Sequence, residues 1–222
     1  MALCSDGKDF TLFQSEKKAI LAGALIAIGA LFSIAATKYG NVVQGFCFSV
    51  GLFGVLCCGA RLFTGQVLGI QDCWRGNVSV GQLLTTWAHT WAYNLLGSVV
   101  VAAIAHFAGF DATKVVWSKT LTPTYVIFCK AILCNVMVCL SVWCYRYSGG
   151  GPVNAFFFTL LPVACFVACG FEHSIADMLY MSLGLMAKTV SAYAFLRVVL
   201  VATVGNVIGG TLFSWLVYEV ER

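Results

Sequence analysis

Charge is what this chain has least of. Asp, Glu, Lys and Arg make up 10% of its 222 residues, against 60% hydrophobic residues. An ordinary soluble domain carries about 25% charged residues. A soluble fold is excluded, and a polytopic membrane protein is expected, with room for six spans, short loops and no separate soluble domain. Basic runs and aromatic–basic alternation are also missing, and the net charge is only +4, so no nucleic-acid partner is expected. Residues 1–10 are polar and lack the apolar core of a cleavable signal, so the first span is expected to stay as a helix. Cysteine is plentiful, at 11 residues, but CxxC pairs are absent and most of the thiols lie in apolar runs. Metal and redox sites usually show tight paired spacing. The cysteines therefore read as small packing residues, and no metal or other cofactor is expected.

Six apolar stretches are present. They cover about residues 19–36, 42–59, 83–108, 125–144, 155–187 and 193–217. The fifth is too long for one ordinary span, since roughly 20 apolar residues cross a bilayer. At its middle stand Gly170, Phe171, Glu172, His173 and Ser174. Ionisable groups at mid-depth are costly and mark a substrate pathway. A helix broken at 170–174 is the simplest geometry, and lipid tolerates a break only against protein or a water-filled cavity. The second stretch is interrupted too, at 61–65, followed by a short apolar piece at 66–70 and a polar connection at 71–82. Arg61 inside it costs about 3 kcal/mol at a helix centre, which favours a vestibule or an unwound loop. Residues 111–122 read as the longest outer loop. Lysine and arginine fall six against four on the two sides, with Lys8, Lys17, Lys18, Arg75, Arg146 and Arg222 on the richer one. This predicts both termini, with Cys4, on the cytoplasmic side of a cell membrane.

The two interruptions belong to a weak repeat. Cys58-Gly59 precedes the first and Cys169-Gly170 the second. Asn94 lies 35 residues beyond Gly59, and Asn206 lies 36 beyond Gly170, each followed three residues later by glycine. Each half reads as span, broken span, span. An odd number of spans per half requires opposite insertion of the halves, about 17–108 and 123–218. Together they form one transmembrane unit over 1–222, with a site at the repeat interface.

These residues resemble the formate/nitrite transporter family. The resemblance rests on 48–52 with 59–65, Lys119 with 131–140, 162–178 and 205–210. The run Gly170-Phe171-Glu172-His173-Ser174-Ile175-Ala176 is the most specific part. The resemblance implies an all-α, aquaporin-like protomer with broken helices two and five, in a homopentamer with one pore per protomer. It also implies passage of small monovalent anions such as formate, nitrite, hydrosulfide or lactate through that pore, in a protomer surrounded by membrane lipid. In that family the positions of Phe48 and Phe166 are apolar constrictions flanking the central histidine, here His173. The positions of Leu52 and Thr64 line the path, and that of Lys119 attracts anions to the vestibule. Arg61 stands where an acid is common and Asp177 where asparagine is common. If the two lie together, they form a compensating charge pair.

The residues themselves leave alternatives. His173 is a pore residue, bonded to Thr64 or to backbone of the other break, or a buried structural histidine. As a pore residue it lends a proton or a strong hydrogen bond to an anion that a dry constriction would otherwise penalise. Glu172 is expected to hold backbone N–H groups freed by the break. Asn94 and Asn206 are expected to bond unwound backbone near each break. A neutral-solute pore and a membrane enzyme remain open beside the anion channel.

Overall fold

A computed structural model of the chain describes residues 12–220. Cys4, Lys8 and Arg222, which carry part of the orientation reading, lie outside them. Every regular element among the described residues is helical. Helix α1 is Leu12–Ala35, α2 Asn41–Cys57, α3 Phe63–Gln66, α4 Ile70–Trp74 and α5 Val80–Phe107. Helix α6 is Thr113–Leu121, α7 Thr124–Tyr147, α8 Pro152–Ala168, α9 Ser174–Met186 and α10 Ala192–Val220. Four of these, α1, α5, α7 and α10, are long and apolar enough to cross a membrane. Helices α2 and α8, at 17 residues each, and α9, at 13, are apolar but fall short of the roughly 20 residues a span needs.

Packing follows the repeat. Helix α1 lies on α2 and α5, α7 lies on α10 and α8, and α2 lies on α8. Helix α9 is central, against α5 and α10, and almost every residue of its length is buried. Glycine sets the closest contacts. A Cβ on Gly97 would stand 2.1 Å from the Ile20 carbonyl oxygen, and one on Gly209 would stand 2.1 Å from that of Ile132. Small residues that let backbones approach are what holds helices together where lipid removes the hydrophobic drive. Gly209→Ala should therefore lower the thermal unfolding temperature of the detergent-solubilised protein, by an overpacking cost of about 1–3 kcal/mol. Gly81, whose Cβ would meet nothing within 4 Å, is the control, and Gly81→Ala should leave that temperature unchanged or higher.

Both interruptions end the preceding helix in the same way. Gly59 and Gly170 take φ of +58° and +65°. The N–H of Gly59 bonds the Leu56 carbonyl and that of Ala60 the Val55 carbonyl. Gly170 and Phe171 bond Val167 and Phe166 identically. This is the Schellman ending, which needs a residue free to adopt positive φ. The chain then runs extended and restarts as α3 or α9.

Two stretches differ from the sequence reading. The return after the first break is not a short apolar piece ending at 70. It is three short turns, α3, a 3-10 turn Val67–Gly69 and α4, running to Trp74 with Gln71 and Asp72 buried. The loop at 111–122 is largely helix α6. It turns Val116 and Lys119 inward, and Arg197 of α10 grips its carboxyl end, donating to the Thr120 oxygen at 2.6 Å and the Thr122 oxygen at 2.9 Å. A cation on the last carbonyls of a helix stabilises that end.

Candidate functional site

The breaks are fixed by one asparagine each. Asn94 Nδ2 donates to the Ala19 oxygen at 2.7 Å and to the Arg61 oxygen at 2.9 Å. Its Oδ1 accepts the Phe63 N–H at 2.9 Å. Asn206 Nδ2 donates to the Ala131 oxygen at 2.8 Å and to the Glu172 oxygen at 2.9 Å, and its Oδ1 accepts the Ser174 N–H at 2.9 Å. In both halves the first acceptor lies 75 residues before the asparagine. A primary amide fits because it donates twice and accepts at once. Glu172 does not do this work, contrary to expectation, because its carboxylate points to Lys119.

Asn135 of α7 ties the two breaks to each other. Its Nδ2 donates to the Thr64 oxygen at 3.2 Å and to the Asn206 oxygen at 2.6 Å. One turn later the Cys139 thiol reaches the same Thr64 oxygen at 3.6 Å. Thr64 is fully buried, and its Oγ1 lies 3.2 Å from His173 Nε2. His173 caps α9. Its Nδ1 accepts the Ala176 N–H at 3.3 Å, so a neutral imidazole here carries its proton on Nε2, facing Thr64.

Two vestibules approach this pair. The first, about 520 Å³, is lined by Phe48, Phe166, His173, Glu172, Asp177 and Lys119, with Asp111, Lys114 and Lys130 farther from the pair. The second, about 600 Å³, is lined by Leu52, Leu62 and Gly65, with Lys18, Arg61, Arg146 and Asp72. Phe48 and Leu52 are one helical turn apart yet line different vestibules. Along α2 the two residues are separated by a rise of only about 6 Å. Phe48 and Phe166 do not stand on opposite sides of His173. Their rings meet edge to face at 5.7 Å, and both touch His173, Phe166 stacked at 6.0 Å and Phe48 at 6.3 Å. They form one apolar layer on the first side. On the second side the buried side chains include Leu52, Leu62, Val55 and Val142.

Charge on the first side is concentrated at Lys119. Its ammonium bonds the Glu172 carboxylate and stands 2.6 Å from Asp177 Oδ1 and 5.3 Å from the centre of the Tyr180 ring. Burial alone would lower its pKa, but the two carboxylates overturn that and hold it above the ordinary lysine value. Asp177 is thus met by Lys119. Arg61 lines the other vestibule, where it donates to Ser15 Oγ at 2.9 Å, so the two departures noted in the sequence do not form a pair with each other.

The match to known proteins follows this geometry. A family model described as formate/nitrite transporter matches residues 9–220. The chain belongs to the formate/nitrite transporter family. It is 32% identical to the formate channel FocA of Escherichia coli K12, over 91% of this chain and 84% of that protein. It is also 32% identical to the nitrite transporter NirC of the same organism, over 89% and 80%. A solved FNT family ion channel superposes with a TM-score of 0.85 at 27% identity, covering 96% of this chain and 91% of that one. A pentameric formate channel with formate bound does so with 0.81 at 25%, covering 94% and 96%.

Four residues of the site have no role assigned from the sequence. Asn135 stands out as a polar residue inside the fourth apolar stretch, but nothing local shows what it bonds, and Tyr180 and Arg197 lie in apolar runs with no local signal. Asp72 sits in a stretch read as a polar connection. Its carboxylate is buried on the second vestibule without a hydrogen-bond partner among the described residues.

Proposed function

We propose that this member of the family is a channel for small monovalent anions, formate and nitrite first, with one pore through each protomer of a pentamer. The observation that carries the reading is the pair of vestibules lined by Phe48 and by Leu52, one helical turn apart on α2, with the buried His173–Thr64 contact beside them. An anion passing between the vestibules loses water that Phe48, Phe166, Leu52 and Leu62 do not replace. The Nε2–H of His173, the Thr64 hydroxyl and the break backbone are the donors within reach. Because Nδ1 is occupied by the Ala176 N–H, His173 serves as a neutral donor, and a second proton on the ring would break the α9 cap. In this reading α2 with α3 and α4, and α8 with α9, complete two interrupted spans, giving six in two inverted halves. Both termini then face the cytoplasm. Hydrosulfide and lactate belong to the same substrate class.

Lys119→Ala tests the electrostatic part by isotopic formate flux in liposomes. Removing Lys119 leaves two buried carboxylates beside the path, so flux should fall at least about tenfold, one decade per 1.4 kcal/mol. Screening acts weakly on buried groups, so the loss should persist between about 0.05 and 0.5 M salt. A loss that vanishes at high salt would make Lys119 an exposed attractor instead.

A further inference from the structure

Lys119 is one cation between two acids. Its side chain is 11% exposed, that of Glu172 5% and that of Asp177 0%. The 2.6 Å approach of Lys119 to Asp177 Oδ1 is not aligned as a hydrogen bond, so neither Asp177 oxygen has an aligned donor. The amino-terminal turn of α9 and the ammonium both favour an ionised carboxylate. Among the described residues no second cation meets the second carboxylate. Lys114 and Lys130 line the same vestibule, and among the described residues neither forms an ion pair with Glu172 or Asp177. Among the described residues the other titratable groups around the cluster are Tyr180 on α9, His173 at the break, the buried Cys134 thiol of α7, and Asp111 in the same vestibule. Arg197 of α10 is spent on the end of α6. From α5, Ser98 reaches the Ile175 oxygen at 3.5 Å, bringing a hydroxyl rather than a charge.

We propose that Glu172 and Asp177 form a proton-binding site separate from His173, sharing one proton beside Lys119. Two carboxylates within reach of a single cation do not both ionise at low cost, and one proton makes the cluster neutral. With that proton released, the cluster carries one excess negative charge on the wall of the first vestibule. The proton comes from the vestibule water and returns to it. Low pH thus gives a neutral wall that admits an anion, and high pH gives a negative wall that repels it. The flux consequence rests on the anion-channel reading above, whereas the proton site does not.

Two measurements on the assembled protein in lipid test it. Infrared titration of the wild type between about pH 5 and 9 should show a carboxylic-acid C=O band lost as pH rises. That band should be missing from both Asp177→Asn and Glu172→Gln. Formate flux, taken as the ratio of wild type to Asp177→Asn at equal formate concentration, should fall about fivefold from pH 5 to pH 8. That is the effect of one charge over about 8 Å at an effective dielectric constant of about 40. The ratio cancels the change in protonated formate, which is the same for both proteins. A wild type with no titrating acid band, a band that survives both substitutions, or a flat ratio overturns the proposal. Absence of formate flux in the wild type would sink the channel reading and leave the infrared result standing.

Discussion

His173→Phe abolishes anion flux through correctly assembled oligomers. The ring fills the same space against Phe48 and Phe166, so packing is kept. What disappears is the Nε2–H and the Nδ1 acceptor. A hydrogen bond to an ion is worth about 1.5–3 kcal/mol, and leaving the anion unmatched in an apolar layer adds to that. A barrier raised by about 3 kcal/mol slows flux about a hundredfold. Loss of the α9 cap costs about 1 kcal/mol of stability. His173→Asn separates the roles. Its amide accepts the Ala176 N–H, since asparagine is a good cap, and still offers donors to the pore. It should keep a measurable part of the flux, with wild-type assembly, because the imidazole acts as a neutral donor. Equal loss in both variants would return the mechanism to a titrating histidine.

The second large effect is on assembly. Asn206→Ala removes the partner of the Ser174 N–H and one partner of the Glu172 oxygen at once, at the centre of the protein. Each orphaned buried group costs about 1–3 kcal/mol, for a total of about 3–5 kcal/mol, which is a large part of the stability of most proteins. Assembled oligomer should be largely lost, as read by size-exclusion chromatography of detergent extracts. Because Asn94 makes the same three bonds at the other break, Asn94→Ala should be equally severe. Normal assembly of either variant would mean that water or another group satisfies the break.

Much of this was legible without coordinates. Gly59 and Gly170 marked the breaks, because only a residue at ease with positive φ ends a helix that way. The spacing to Asn94 and Asn206 marked a repeat, because the same amide work recurs in each half. What was not legible depends on contacts between distant segments. The compensating cation for Asp177 comes from α6, not from the other departure, Arg61. Helix α6 was read as a loop because nine polar and apolar residues carry little periodic signal. Its order depends on Arg197, some 75 residues away. That the two phenylalanines flank the histidine was implied by the family resemblance, and nothing in the sequence itself places their side chains relative to His173. The approach of α2 and α8 places them in one layer.

The most direct test is permeation itself. Wild-type protein in liposomes should pass isotopic formate and nitrite well above empty liposomes, at rates that His173→Phe removes while assembly is kept. Glycerol and ammonia should enter no faster than through the bare bilayer. Passage of the neutral solutes with no anion flux above that of empty liposomes would contradict the account.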